Sequence, residues 1–205
     1  MNIITKTYSN LPAFLQPISK KIYKKSGLYI NPKKRRRKFF LEMMPKNSIC
    51  AEIGVQRAFF SVQILKIVRP KKLFLIDPWT FYDPEKNAQE RLDEFYQIVK
   101  KRMKNKPNVE ILKGKSIEIL NSFPDNHFDW VYIDGDHSYE AVKADLEISY
   151  KKVKTNGLIT GDDFMYIKPN EGLDIILAVT EFTKSYPIEP IILGKEQQFI
   201  LKKLK

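Results

Sequence analysis

A single cysteine, no long apolar run and almost no acid near the N-terminus are the first constraints on this 205-residue chain. Cys50 has no partner for an internal disulfide, and one cysteine makes no metal cluster, so a reducing compartment and a buried structural thiol are expected. A membrane span needs roughly 20 consecutive apolar residues. Nothing approaches that length, and the stretch 11–18 is broken by Pro12 and Pro17. The N-terminus does not have the pattern of a cleaved secretory signal, so the expected location is cytoplasmic.

Acids are nearly missing from residues 1–48. That segment holds twelve of the 36 basic residues, among them Lys33, Lys34, Arg35, Arg36, Arg37 and Lys38, against the single acid Glu42. The remainder carries 24 basic and 23 acidic residues, which is nearly neutral. The charge step divides the chain near Pro45 into a basic N-terminal extension, 1–47, and one domain, 48–205. With 43% hydrophobic residues, the chain is long enough for one substantial core.

From Ser48 onward, apolar runs alternate with helical patterns, which predicts a parallel sheet covered on both faces. Strands are expected at 49–53, 72–76, 109–112, 128–133 and 158–160, with helices over 58–68, 139–153 and 173–184. Between Glu85 and Lys104, Ala88, Leu92, Phe95, Val99 and Met103 recur at helical spacing. The tail reads as two strands, 189–193 and 196–201, around a tight turn at Gly194-Lys195.

Chemistry is expected where strands end, because open α/β sheets hold ligands beyond their carboxyl edges. The run Asp129-Trp-Val-Tyr-Ile-Asp134-Gly-Asp136-His137 ends in two carboxylates, a glycine and an imidazole, and Gly157-Leu-Ile-Thr-Gly161-Asp162-Asp163 ends in paired acids. Clustered carboxylates repel and raise one another's pKa unless a cation sits between them, so a divalent metal is the economical expectation. The second strand ends in Asp77-Pro78-Trp79. An acid there suits ribose hydroxyls, whether of a nucleoside cofactor or of NAD. Trp79 reads equally as packing or as a pocket wall. Asp136 reads as a helix cap rather than a ligand, and His127 as an exposed turn residue with no assigned role.

Seven strands ending in an antiparallel pair, with the turn Ala51-Glu52-Ile-Gly54-Val-Gln-Arg-Ala58-Phe-Phe-Ser61 after the first, resemble the class I S-adenosylmethionine-dependent methyltransferases. The resemblance covers about residues 48–202. It implies a Rossmann-like, doubly wound seven-stranded sheet and a cofactor site that includes Glu52, Gly54, Ser61, Asp77, Trp79 and Ser116. Ala58 stands where the family's second glycine is usual. Gly114-Lys-Ser116 matches the family position that meets adenine, and Ser116 reads equally as the N-cap of the next helix. A dinucleotide fingerprint asks for three glycines that this turn does not have.

Asp134-Gly-Asp-His137-Ser-Tyr-Glu together with Gly161-Asp162-Asp163-Phe is similar to the metal-dependent O-methyltransferase branch that includes the macrolide sugar enzymes, within a wider group containing catechol-type enzymes. By that resemblance Asp134, Asp162 and Asp163 are the metal-site candidates, with either Asp162 or Asp163 open to standing behind the ligands, Mg²⁺ is the cation, and Asp134 and His137 are the catalytic pair with His137 as general base. Such an enzyme would methylate a hydroxyl of a small or carbohydrate-type acceptor. The basic extension reads first as a solvated arm, next as a lid over the site that attracts an anionic acceptor, and less well as a contact for nucleic acid or an anionic membrane surface. The alternatives are an RNA methyltransferase and a non-catalytic nucleic-acid or membrane-surface binding protein on the same fold.

Overall fold

A computed structural model describes residues 32–80, 86–164, 173–193 and 197–205. Residues 1–31 of the basic extension and the turn expected at Gly194-Lys195 lie outside them. The elements are α1 (Pro32–Met43), β1 (Ile49–Ile53), α2 (Phe59–Ile67), β2 (Lys72–Asp77), α3 (Lys86–Met103), β3 (Val109–Lys113), α4 (Ser116–Asn121), β4 (Phe128–Ile133), α5 (Tyr139–Lys152), β5 (Val153–Gly161), α6 (Asp174–Ser185), β6 (Ile188–Leu193) and β7 (Phe199–Lys203). None of the described helices is long and apolar enough to cross a membrane.

The seven strands form one sheet in the order β3-β2-β1-β4-β5-β7-β6. Neighbours from β3 through β5 are parallel, while β7 pairs antiparallel with both β5 and β6. This is the expected doubly wound sheet with an antiparallel C-terminal pair.

Side chains alternate across the pleat, so each strand feeds two cores. Ala51, Ile53, Phe74, Ile76, Val131, Ile133 and Ile159 face the layer carrying Leu120, Val142, Leu146, Val179 and Phe182. Cys50, Leu73, Leu75, Trp130 and Tyr132 face Phe40, Leu41, Met44, Phe60, Ile64, Val68, Val99 and Met103. Cys50 is fully buried, and burial pushes its thiol pKa far up, which makes it inert as a nucleophile.

The chain divides into compact units 1–39 and 40–205. Phe40, Leu41 and Met44, which precede Pro45, belong to the second core. Helix α1 runs through the basic cluster, where no apolar periodicity announces a helix. His127 also differs from expectation. It is half-buried, with ring centroids 4.8 Å from Phe128, 5.2 Å from Phe123 and 6.0 Å from Phe74, and burial, followed by nearby Lys154, lowers its pKa.

Candidate functional site

Register places the expected residues along one edge. Ile53 pairs with Ile76 and Ile133, and Ile133 with Gly161, so Gly54, Asp77, Asp134 and Asp162 emerge close to the same level. Backbone bonds continue the ladder past the strands: Gly54 N–H donates to the Ile76 carbonyl, Asp134 N–H to Ile53 and Asp162 N–H to Ile133, at 2.9, 2.8 and 3.1 Å. β1 lies between β2 and β4, so strand order reverses beside it, and a crevice for ligands is expected there.

Gly54 is required by its surroundings. Its φ is +84°, and a Cβ there would stand 2.0 Å from the Asp134 carbonyl oxygen and 2.7 Å from the Gly135 nitrogen. The turns after β1 and β4 therefore touch backbone to backbone, which only glycine permits. Ala58 also adopts the left-handed conformation, with φ 57°, and opens α2 where glycine would be unstrained. Ser61 is fully buried within α2, and among the described residues its Oγ has no hydrogen-bond partner. Glu52 is buried as well, at 1% exposure.

Asp77 braces the site. Its Oδ2 accepts from the N–H groups of Val55 and Gln56, both at 2.9 Å, and its Oδ1 accepts from Trp79 N–H at 2.7 Å. A carboxylate offers about four lone-pair sites, so about one remains for an external donor. Trp79 is 1% exposed, donates its indole N–H to the Gln56 carbonyl and packs on Tyr96 with centroids 4.9 Å apart. Its surface is spent on joining the first two turns.

Three of the four acid and imidazole candidates meet. Ligand atoms of Asp134, His137 and Asp163 all lie within 4.8 Å of one another, and His137 Nε2 is 4.0 Å from Asp163 Oδ2. Asp163 reaches the cluster from a left-handed residue, φ 54°. Asp162 does not join this group. It is buried, and its Oδ1 accepts from Gln198 Nε2, which ties β5 to the start of β7. Asp136 accepts from Ser138 N–H at 2.8 Å, an Asx-type turn that leads into α5.

Ser116 does not cap its helix through its side chain. Lys115 occupies the N-cap without a side-chain bond, and the Ser116 hydroxyl instead donates to Asp145 Oδ1 on α5. Asp145 is a residue that sequence reasoning missed. It is 4% exposed, and burial raises its pKa to about 6, with the Ser116 bond opposing the shift and Asp136 adding to it. A lone acid at a core-facing position of α5, three residues after Val142, was the available signal.

A family model described as a methyltransferase domain matches residues 51–164, more than half of the chain. The chain belongs to this methyltransferase-domain family. Its matched span begins at β1 and ends just past Asp163, so it contains every site residue named above. A curated relative, uncharacterized protein R132 of Acanthamoeba polyphaga mimivirus, is 32% identical over 99 residues, which is 46% of this chain and 41% of that one. The chain thus spans about two fifths of that relative's length.

Solved structures share the fold of this methyltransferase-family chain. A caffeoyl-CoA O-methyltransferase-like protein from Staphylococcus aureus superposes with TM-score 0.58 at 14% identity, covering 98% of this chain and 97% of that one. The N-methyltransferase NodS from Bradyrhizobium japonicum gives 0.56 at 12% identity, with 85% and 98% covered. Spermidine synthase from Thermotoga maritima gives 0.50 at 18% identity, with 81% of this chain but 54% of the synthase covered. At these identities the likeness concerns the fold, here a class I methyltransferase sheet.

Proposed function

We propose that this protein is a metal-dependent O-methyltransferase that moves the methyl group of S-adenosylmethionine to a hydroxyl of a small, carbohydrate-type acceptor. The observation that carries the reading is the convergence of Asp134, His137 and Asp163 beside the Gly54 turn and the Asp77 brace. The donor set fits a divalent cation. Carboxylate oxygens of Asp134 and Asp163 lie within 4.8 Å of each other, close enough to share an ion at bond lengths of about 2.0–2.6 Å, and their charge offsets that of the cation while His137 stays free to act as a base. A cation held there would lower the pKa of an acceptor hydroxyl and fix its position.

The remaining work falls to the chain. Asp134 and Asp163 would hold the cation, and His137 Nε2, 4.0 Å from Asp163 Oδ2, takes the hydroxyl proton. The acceptor oxygen attacks the sulfonium methyl, an O–C bond forms as the S–C bond breaks, and S-adenosylhomocysteine leaves. Gly54 lets the cofactor-side turn and the acid-bearing turn share one wall, which brings the two reactants together. Asp77 offers its remaining acceptor site to a ribose hydroxyl. The sugar-type acceptor rests on the resemblance of the Asp134 to Glu140 segment to the macrolide sugar branch.

Mn²⁺ followed by electron paramagnetic resonance is the probe for the site. Binding is expected in the wild type and in Asp162→Asn, and its loss in Asp134→Asn and Asp163→Asn. Methyl transfer from labelled S-adenosylmethionine to sugar, catechol and RNA acceptors should vanish in EDTA and return with Mg²⁺. Undiminished transfer in excess EDTA would remove the metal from the account.

One observation favours a second reading, with RNA as acceptor. Phe59 is 52% exposed, with Arg102 Cζ 4.2 Å and Arg57 Cζ 5.3 Å from its ring centroid. Such an aromatic and guanidinium pairing suits an unstacked base. Labelling of RNA but of no sugar in the same screen would select it.

A further inference from the structure

Asp145 is a carboxylate buried where structure alone does not ask for one. Among the described residues no cation pairs with it, and its one hydrogen bond is accepted at Oδ1 from Ser116. An ionised carboxylate held in the interior without a cation is costly, and an asparagine or an apolar residue would fill the same space more cheaply. Its second oxygen, Oδ2, lies 3.7 Å from where a Cβ on Gly135 would stand. Asp145 therefore points from α5 toward the turn after β4, between that turn and Ser116 at the end of the β3 turn.

Gly135 supports the same placement. It is not among the positive-φ residues, and a Cβ there would meet its neighbours only at 3.6 Å and beyond, which is ordinary contact. Neither backbone angle nor packing demands glycine at this position. Glycine puts no side chain beside Asp145 Oδ2.

We infer that Asp145 determines cofactor specificity by accepting a hydrogen bond from the exocyclic amino group of adenine, with Ser116 holding the carboxylate in place. The inference rests on the cofactor reading above. It explains why the serine hydroxyl is turned away from its own helix terminus, and why an acid survives in a dry position. A purine bearing a carbonyl in place of the amino group would present an acceptor to an acceptor and be rejected.

The test is calorimetric titration of the full chain with S-adenosylhomocysteine and with S-inosylhomocysteine, in which that amino group is replaced by oxygen. The wild type should prefer the adenine compound by about 10- to 100-fold, the scale of a hydrogen bond to a charged group in a site built for it. In Asp145→Asn the amide oxygen keeps the Ser116 bond and the amide nitrogen becomes a donor toward the base. That preference should then collapse to within a few-fold or reverse. Ser116→Ala should weaken discrimination in the same direction, which covers failure of the first variant to fold.

Equal loss of both ligands in a folded Asp145→Asn, or wild-type discrimination retained in it, would make Asp145 only a strut between α4 and α5 and overturn the inference. A wild type that binds the adenine compound without discriminating also overturns it, yet leaves the cofactor reading standing. No binding of S-adenosylhomocysteine to the wild type defeats both.

Discussion

Replacing Asp145 with asparagine should make the protein more stable at neutral pH, and the size of the gain can be worked from the fold. Burial raises the carboxyl pKa from 3.8 to about 6, so the folded state binds this proton more tightly than the unfolded chain does. A group raised in this way contributes stability that is fully present below the unfolded pKa and lost as pH climbs through the folded one. Each pKa unit is worth about 1.4 kcal/mol, so the wild type loses about 3 kcal/mol between about pH 4 and pH 7 from this residue.

Asparagine keeps the Ser116 bond and does not titrate, so the difference between the two proteins reports this carboxyl together with its repulsion from Asp136. Urea unfolding of the two proteins at steps from about pH 4.5 to pH 7.5 should therefore show the variant gaining on the wild type by roughly 2–3 kcal/mol, mostly below pH 6.5. Parallel stability profiles would refute the claim that this carboxylate is buried at a cost. Together with altered cofactor discrimination, a gain would mark Asp145 as a position where stability is given up for recognition.

Other consequences are as direct. Gly54→Ala places a Cβ 2.0 Å from the Asp134 carbonyl at a φ of +84°, so it should displace both turns, abolish S-adenosylhomocysteine binding and lower the melting temperature; calorimetry and thermal unfolding read both. Leu41→Ala, at a fully buried site, should cost about 2–5 kcal/mol in urea unfolding. Because the His127 pKa is lowered by burial, the stability this residue contributes is present above its ordinary value of 6.5 and lost as pH falls toward the folded value; His127→Gln should flatten that acid-side decline in unfolding experiments. His137→Ala should reduce turnover by about 10²–10⁴ with cofactor affinity unchanged, measured by labelled methyl transfer.

The sheet was legible because its central strands β1, β2 and β4 are buried on both faces and read as mostly apolar runs closed by Gly or Asp. Where local chemistry and fold disagreed, the sequence misled. The expected fifth strand, 158–160, in fact begins at Val153, since Lys154-Thr-Asn-Gly157 looks like a turn but forms an irregular strand segment with Asn156 at φ 65°. Pairing with β4 shifts register there, and a Cβ at Gly157 would stand 2.8 Å from the Asp129 carbonyl. Helix α1 was hidden because a run of six cations carries no apolar period, and only Phe40, Leu41 and Met44 mark its buried end.

At the site, strand ends located Gly54, Asp77, Asp134 and the Asp162-Asp163 pair, because register converts neighbouring strand ends into neighbours in space. Which member of the acid pair faces His137 depended on the left-handed backbone of Asp163 and on Gln198, 36 residues away from Asp162. Asp145 needed the fold. Its partner Ser116 is 29 residues distant, and its place three residues after Val142 marks only that it faces the core, not what it meets there.

Calorimetric titration of S-adenosylhomocysteine into the wild-type protein, with Mg²⁺ and again in excess EDTA, decides whether this fold binds the methyl donor and whether it does so without the metal. The expected result is saturable one-to-one binding under both conditions, because Gly54, Asp77 and Asp145 are assigned by proposal to the cofactor and Asp134, His137 and Asp163 to the acceptor. No heat of binding at millimolar ligand in either condition, or saturable binding of NAD in its place, would contradict it.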